Sequence, residues 1–397
     1  MVKKIKPLSI TASSLVTAAG CGKQLVLDAI QNNKTALRNI SYPGLNFNTW
    51  LGKIDDIDKF EIESSLQNYN CRNNKLAKLG LDTDNFRNDI NSAISKYDKN
   101  RIGVFMGTST SGKAETEAAY TQLDENNGRL PAGFDMLHTH NIASVQDYVQ
   151  HSLGLDGVGL TISTACSSSA KVFATAHRYI NAGLCDAAIV GGVDSLCLST
   201  IYGFHSLQLV SSKPCCPWDA ERNGISIGEA AGFVLLERTD ETTNKIQLRG
   251  FGESSDAYHM STPHPDGEGA TIAMKTALAR SGLSHTDIEY INLHGTATPS
   301  NDIAESQALQ KVFSKDITCS STKGITGHTL GAAGITEAII CSLALENKTL
   351  PGTVNFKNTD LSLAVKVLET SVERSANNVM SNSFGFGGSN CSLVFGW

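Results

Sequence analysis

Short apolar segments alternate with helical segments along nearly the whole chain, and this alternation restricts the fold more than any other feature. Runs such as "RIGVFMG" and "DAAIVGGVD" are short and apolar, as expected of buried strands. Runs such as "KVFATAHRYI" and "GATIAMKTALARSGL" have the spacing of helices. Strands that alternate with helices predict a layered α/β fold. The pattern starts again near residue 241, so we expect two halves of similar design, 1–240 and 241–397.

The charge balance and the hydropathy pattern exclude some classes of protein. The net charge of −6 argues against a general nucleic-acid binder, although a local basic patch remains compatible with it. No segment reaches the ~18 consecutive apolar residues that a membrane span needs. The first residues, "MVKKIKPLSITASSLVTAAGC", superficially resemble a secretion signal, but their middle is rich in serine and threonine. We interpret them as a strand followed by a helix, and we expect a cytoplasmic protein.

The chain has ten cysteines, which invites a disulfide or metal interpretation. No C-x-x-C pair occurs, Cys215 and Cys216 are adjacent, and most of the others lie in apolar runs. We therefore interpret nine of them as small buried residues in a reducing compartment. Because no cluster of ligands is visible in the sequence, we expect no metal site.

Cys166 is the exception, because it lies between small residues in "STACSSSAK". An apolar run precedes it and a helical run follows it, so it falls at a strand-to-helix turn. The free N–H groups of a helix start carry partial positive charge, which predicts a lowered thiol pKa and a possible oxyanion site. Small neighbours would allow the tight turn and the access of a substrate. A buried structural cysteine beside a serine-rich cap is the alternative.

Three further segments place reactive side chains directly after predicted strands. "NLHGTATPSND" holds His294, "STKGITGHTLGAAG" holds Lys323 and His328, and "NSFGFGGSN" is a glycine-rich turn with two phenylalanines. Sites in α/β folds gather at the carboxyl ends of strands. A single histidine there is more often structural. Together with the cysteine, however, these residues indicate a nucleophile with electrostatic support.

At these residues the chain resembles the β-ketoacyl-[acyl-carrier-protein] synthases of the thiolase superfamily. The matching segments are "TACSSS", "PWDAERNGISIGEAAG", "HGTATP", "KGITGHTLGAAG" and "SNSFGFGGSN", in family order from about residue 100 to the end. The resemblance implies a thiolase-like fold, a duplicated five-layer α-β-α-β-α arrangement. It also implies an acyltransferase that works as a dimer and binds no cofactor of its own. Its substrates would be carried on the phosphopantetheine of acyl carrier protein.

The resemblance also implies a role for individual residues. Cys166 would be the nucleophile that accepts the acyl chain, and His294 and His328 would complete a Cys-His-His triad. Lys323 would be the nearby lysine of the family, paired with the buried acid Glu337. A sulfur, two imidazoles and a lysine would thus form the catalytic centre.

Three more residues follow from the same resemblance. Thr296 and Thr298 would contact the phosphopantetheine arm. Phe386 would act as a gate, and its backbone N–H would join that of Cys166 in the oxyanion hole.

The resemblance implies a decarboxylative Claisen condensation. The acyl chain on Cys166 would be extended by two carbons taken from malonyl carrier protein, in the synthesis of a fatty acid, polyene or polyketide. One alternative is a subunit that is active only with a chain-length-factor partner. Another is a non-catalytic subunit that shapes a pocket, and the intact catalytic set argues against it.

The acyl pocket and the docking surface are less well defined. "FMGTSTSGKAE" resembles the segment that lines the acyl pocket, so its small polar residues Thr108, Ser109, Thr110 and Ser111 are candidates for a pocket that takes a longer or more polar chain. A polar turn unconnected with substrate is the alternative. Because carrier proteins are acidic, docking needs a basic patch, for which Arg72, Lys75 and Lys213 are candidates. Homodimer and heterodimer both remain open.

Overall fold

The computed structural model of the protein describes residues 3–240 and 244–397. The predicted junction of the two halves, between residues 240 and 241, borders residues 241–243, which lie outside the described residues. The strands are β1 (Leu8–Thr17), β2 (Gly20–Cys21), β3 (Arg38–Asn39), β4 (Trp50–Leu51), β5 (Ile102–Gly107), β6 (Gly159–Ile162), β7 (Ala187–Asp194), β8 (Ala230–Arg238), β9 (Gln247–Ser255), β10 (Tyr290–Asn292), β11 (Cys319–Ser320), β12 (Thr349–Leu350), β13 (Val372–Glu373), β14 (Asn378–Gly385) and β15 (Ser389–Gly396). The α-helices are α1 (Lys23–Gln31), α2 (Arg72–Leu81), α3 (Phe86–Tyr97), α4 (Lys113–Tyr120), α5 (Ser144–Ser152), α6 (Ser168–Asn181), α7 (Leu198–Ser206), α8 (Glu268–Ser281), α9 (Pro299–Val312), α10 (Lys323–Thr326) and α11 (Ala333–Asn347).

The main sheet repeats one topology twice. Its order is β11-β10-β14-β15-β9-β1-β8-β7-β5-β6, with β2 paired to β1. We number the five main strands of each half in chain order. From the centre of the sheet outwards, they then lie in the spatial order first, fifth, fourth, second and third. The second strand pairs in parallel with the third and fourth, and the fifth pairs antiparallel with the first and fourth. Two pairs of residues of β1 and β9 join the halves.

The side chains of each strand separate the structure into layers. On β8, Val234 and Leu236 contribute to the central core, together with helices α6 and α11. Their neighbours Phe233 and Leu235 contribute to a second core, which is covered by α2, α3 and α5. A third core lies between the other half-sheet and helices α8 and α9. Helices therefore cover both outer faces and fill the centre, which confirms the expected α-β-α-β-α order.

The central position of α11 explains its composition. The segment Leu330–Asn347 is long and apolar enough to cross a membrane, but 89% of it is buried inside the protein. It packs against both half-sheets, so it has no polar face.

The cysteines depart from the sequence interpretation at two positions. All ten are free, and most are buried. Cys21 is exposed on the short strand β2, however, and Cys216 is half-buried. The prediction that nine cysteines are small buried residues is therefore wrong for these two.

Candidate active site

The nucleophile candidate lies in a tight turn between β6 and α6, as the sequence predicts. Ala165 adopts a left-handed φ of 52°, which turns the chain just before Cys166. The hydroxyl of Ser168 accepts a hydrogen bond from the N–H of Thr164 at 2.9 Å and donates to the carbonyl of Ala165 at 2.6 Å. Small serines therefore stabilise this turn by bonding its backbone, which explains much of the run of small residues around the thiol.

The structure brings both histidines to the sulfur. Nε2 of His328 lies 3.2 Å from Sγ of Cys166. A ring nitrogen of His294 belongs to the same group, in which the three ligand atoms lie within 4.8 Å of one another. All three side chains are buried. The cysteine comes from one half of the fold and the histidines from the other.

Hydrogen bonds to Nδ1 decide which nitrogen of each ring carries the proton. The backbone N–H of Leu330 donates to Nδ1 of His328 at 3.2 Å. Nζ of Lys323 lies 3.4 Å from Nδ1 of His294. Because Nδ1 accepts in both rings, the proton of each neutral imidazole resides on Nε2. Burial, followed by the charge of Lys323, holds the pKa of both histidines well below the usual value. The site therefore presents two neutral N–H donors.

The thiol itself corrects the sequence-based expectation. Burial raises the pKa of Cys166 to about 11, although the charge of Lys323 and a backbone hydrogen bond from Phe386 act in the opposite direction. The predicted lowering of the thiol pKa is therefore wrong for this closed site. Burial therefore favours the neutral thiol of Cys166 over the thiolate.

Lys323 connects the histidine to a buried acid. Its Nζ donates to the carbonyl of His294 at 2.5 Å and forms a very short ion pair with Glu337. Burial raises the pKa of Glu337 to about 7, against the effect of Lys323. This pair, expected from the resemblance, fixes the strand end that carries His294.

A second buried acid, Glu305 on α9, escaped the sequence analysis. Its two oxygens accept the N–H groups of His294 and Gly295, each at 2.8 Å. Burial raises its pKa to about 7, although those N–H bonds act in the opposite direction. Glu305 thereby holds the turn after β10 in place.

Asp194, the last residue of β7, also escaped the sequence analysis. It accepts hydrogen bonds from the N–H of Thr110 and of Gly331, at 3.0 Å and 2.6 Å. The hydroxyls of Thr108 and Thr110 donate to it at 2.6 Å and 2.9 Å. The sequence contains a signal for this role, because Asp194 ends the apolar run "DAAIVGGVD" and the other site residues also lie at strand ends.

The acyl-pocket prediction is therefore wrong for the two threonines. Thr108 and Thr110 are buried and point their hydroxyls at Asp194. Of this segment, Ser109 and Lys113 line the cavity next to Cys166.

Two cavities meet at the sulfur. Thr296 and Thr298 line the first one, with their hydroxyls 2.9 Å apart. Helix α7 lines the second one. Cys166, Phe204 and Phe386 line both, and the two phenylalanine rings are 5.4 Å apart. Phe386 therefore lies where the two cavities meet.

The docking candidates differ in their surroundings. Arg72 is 7% exposed and pairs with the buried Glu229 at 2.7 Å and with Asp58 at 2.8 Å. Its prediction as a docking residue is wrong, because its charge is already used inside the protein. Lys75 is half-buried and donates to the carbonyl of Asp58. The side chain of Lys213 is 75% exposed.

The grouping of Cys166, His294 and His328 also corrects the argument about metals. Their ligand atoms are close enough to hold a metal ion, so the inference that no ligands cluster is wrong. The charge of Lys323 beside His294 disfavours a dication there. The same atoms can instead surround the carbonyl of a bound thioester.

Comparisons with known proteins agree with this arrangement. A model of the β-ketoacyl synthase N-terminal domain matches residues 83–242, and a model of the C-terminal domain matches residues 246–357. The 3-oxoacyl-[acyl-carrier-protein] synthase 2 of Vibrio cholerae is 34% identical over 325 residues, which cover 77% of this chain and 78% of that protein.

Solved structures show the same likeness. A ketosynthase from Xenorhabdus doucetiae, solved in complex with its chain length factor, superposes with a TM-score of 0.90. It is 37% identical, and 98% of each chain is covered. A β-ketoacyl synthase from Burkholderia phymatum has a TM-score of 0.85, 26% identity and 99% coverage of both chains.

Proposed function

The chain belongs to the β-ketoacyl synthase family, and we propose that Cys166, His294, His328 and Lys323 carry out its condensation reaction. It is an acyltransferase with the thiolase-like α/β fold that the resemblance implied. The reaction joins an acyl chain to two carbons from malonyl carrier protein.

In the first step the acyl group moves to the enzyme. The sulfur of Cys166 attacks the thioester carbonyl, the carbon–sulfur bond to pantetheine breaks, and the thiol proton passes to the departing pantetheine sulfur. Nε2–H of His328, 3.2 Å from the sulfur, stabilises the charge as it forms. The N–H groups of Cys166 and Phe386 serve as the oxyanion donors.

In the second step malonyl carrier protein replaces the free carrier. Its carboxylate leaves as CO2, and the electron pair of the broken bond moves into an enolate on the thioester. Both neutral imidazoles donate to the enolate oxygen through Nε2. The enolate carbon then attacks the acyl group on Cys166, and the released sulfur takes up one proton. The products are a 3-oxoacyl carrier protein and the free thiol.

The convergence of Cys166, His294 and His328 within 4.8 Å is the observation that carries this proposal. The test incubates acyl and malonyl carrier proteins with the protein, alone and together with a chain-length-factor-like subunit, and measures the 3-oxoacyl product. Cys166→Ala should abolish it. His294→Ala should block decarboxylation and leave the acyl group on Cys166, where mass spectrometry identifies it. Product formation by Cys166→Ala at near the wild-type rate would refute the mechanism.

We further propose that the chain is the active partner of a heterodimer with a subunit like a chain length factor. The Xenorhabdus doucetiae ketosynthase, 37% identical, was solved with such a partner. The outer strand β6 has an unpaired edge, and Leu160 on it is 37% exposed. Native mass measurement of the chain alone tests this, because a stable, active homodimer would contradict it.

We propose Lys213 as a docking residue for acyl carrier protein. Leu209, four residues before Lys213, lines the cavity that holds Thr296 and Thr298, and the side chain of Lys213 is exposed with only a 4.0 Å ion pair to Glu221. Lys213→Glu should raise the KM for carrier-bound substrates at low salt, whereas Lys275→Glu on the exposed side of α8 should not. An unchanged KM for Lys213→Glu would refute this assignment.

The ten free cysteines support the cytoplasmic location that we propose.

A further inference from the structure

Lys113, the first residue of α4, lies in the wall of the second cavity, the one lined by α7. The same cavity is lined by Cys166, Phe204 and Phe386. Lys113 therefore faces the space that an acyl chain would occupy once it is attached to the sulfur. A cation in the wall of an acyl pocket demands an explanation, because a purely apolar chain would desolvate it without compensation.

Among the described residues, no side chain or carbonyl forms an ion pair or hydrogen bond with the ammonium of Lys113. Two acids share its helix: Glu115, which accepts the N–H of Arg72, and Glu117, which lies one turn after Lys113. The carboxylate of Glu117 is engaged by the N–H groups of Leu198 and Ser199 at the start of α7, the first of them at 3.0 Å. Asp194 lies beneath Ser109, where its oxygens are occupied by the bonds described above. The ammonium is thus free to bind a ligand.

The rest of the wall is only partly apolar. Ser199 and Thr200, in the first turn of α7, line the cavity, and so does Ser109, whose hydroxyl donates to Asp194. Leu207 and Leu330 supply its apolar surface. The pocket therefore combines apolar surface for a carbon chain with polar side chains.

We propose that Lys113 determines the acyl specificity of the enzyme, selecting chains whose far end carries an oxygen that accepts a hydrogen bond, such as a carboxylate or a hydroxyl. This inference rests on the proposed function, because it assigns the substrate class of that same site. The ammonium offers three donors and a full charge, which an alkyl end cannot use. A carboxylate would gain both the hydrogen bond and the charge interaction, whereas a hydroxyl would gain the hydrogen bond alone.

The test measures acylation of Cys166 by three pantetheine thioesters of equal chain length: octanoyl, its ω-hydroxy analogue and its ω-carboxy analogue. The acylated protein is quantified by intact mass. We expect the wild-type protein to prefer a polar-ended chain over octanoyl, and Lys113→Leu to lower that kcat/KM ratio about tenfold. Lys275→Leu removes an exposed lysine from α8 and should leave the ratio unchanged.

Each outcome is decisive for the inference. Preference for both polar chains indicates that a neutral acceptor suffices, and preference for the carboxylate alone indicates that the charge is needed; either supports the assignment. Preference of the wild-type protein for octanoyl, or an equal loss with all three chains in Lys113→Leu, overturns it. Lys113→Gln keeps a donor without the charge and replaces the leucine variant if that one does not fold. Failure of every chain to acylate Cys166, in the heterodimer as well as in the chain alone, would refute the proposed function instead.

Discussion

The backbone N–H of Leu330 donates to Nδ1 of His328 at 3.2 Å, and this bond places the ring proton on the nitrogen that faces Cys166. Leu330 reaches this position with a left-handed φ of 53°, which a branched residue seldom adopts. The next N–H, that of Gly331, is held by the buried carboxylate of Asp194 at 2.6 Å. An acid at the end of β7 thus orients a histidine that it does not touch.

Asp194→Asn should lower both stability and the rate of acyl transfer. One oxygen of Asp194 accepts the N–H groups of Ser109 and Thr110, and the other accepts that of Gly331. An amide nitrogen on either side would face a backbone N–H, which costs about 1–3 kcal/mol for the unsatisfied group. Urea unfolding and Cys166 acylation measure the two effects. Asp156→Asn, at a surface ion pair, is the control, and a wild-type acylation rate in Asp194→Asn would contradict the positioning role.

Alkylation of Cys166 should become faster with pH without a plateau below about pH 10. The thiolate is the reactive form, and burial raises the thiol pKa to about 11. The reactive fraction should therefore increase about tenfold per pH unit from pH 7 upwards. Iodoacetamide labelling, mapped by peptide mass to separate it from the exposed Cys21, measures the rate. A plateau near pH 7 would mean that the sulfur is a thiolate at rest.

Cys166→Gln should decarboxylate malonyl carrier protein without elongating any chain, because the amide imitates the acylated sulfur. The rate should stay constant from pH 8 down to about pH 6, since both histidines have pKa values well below the usual ~6.5 and stay neutral. CO2 release measures this. Adding His294→Ala should reduce the rate on the order of 10²–10³-fold. A half-maximal rate near pH 6.5 would contradict the neutral-imidazole assignment.

Removing one member of the pair Lys323 and Glu337 should destabilise the protein more than removing both. The two side chains are 1% and 3% exposed, so either one alone is a buried charge without compensation. Lys323→Met or Glu337→Leu should each cost about 3–5 kcal/mol of unfolding free energy. The double variant should recover part of that loss in urea unfolding. Losses that simply add would show that the pair is not coupled.

Arg72→Leu should destabilise the protein, because it leaves the fully buried Glu229 without its partner. We expect a loss of about 3–5 kcal/mol in unfolding free energy. Lys59→Leu removes a charge from an exposed ion pair and should remain near the wild-type stability. A stable Arg72→Leu protein with a raised KM for carrier-bound substrates would restore the docking interpretation.

Much of the site was predictable because the end of a strand can be recognised from a short stretch of sequence. Cys166, His294 and Lys323 each follow a predicted strand. His294 and Lys323 follow the parallel neighbours β10 and β11, whose carboxyl ends meet at one edge of the sheet. Cys166 follows β6 in the other half, so only the packing of the two halves brings it to the histidines. The small residues around Cys166 likewise reflect a local requirement, the tight turn at Ala165. Asp194 also ends a buried apolar strand, but it was not predicted as a site residue.

Other features could not be predicted from any segment alone. The predicted orientation of Thr108 and Thr110 failed because Asp194, more than 80 residues away, attracts their hydroxyls into the interior. The position of Lys113 in the pocket depends on how α4 packs against α7.

The sequence by itself determined the order of strands and helices, the duplication, and which side chains stand at strand ends, because these depend on neighbours along the chain. Only the tertiary structure decided the protonation of Cys166, the internal pairing of Arg72 and the convergence of groups from two halves. Those properties depend on burial and on charges contributed by residues far apart in sequence. The desolvation of a group is the sum of the contributions of all the residues that surround it.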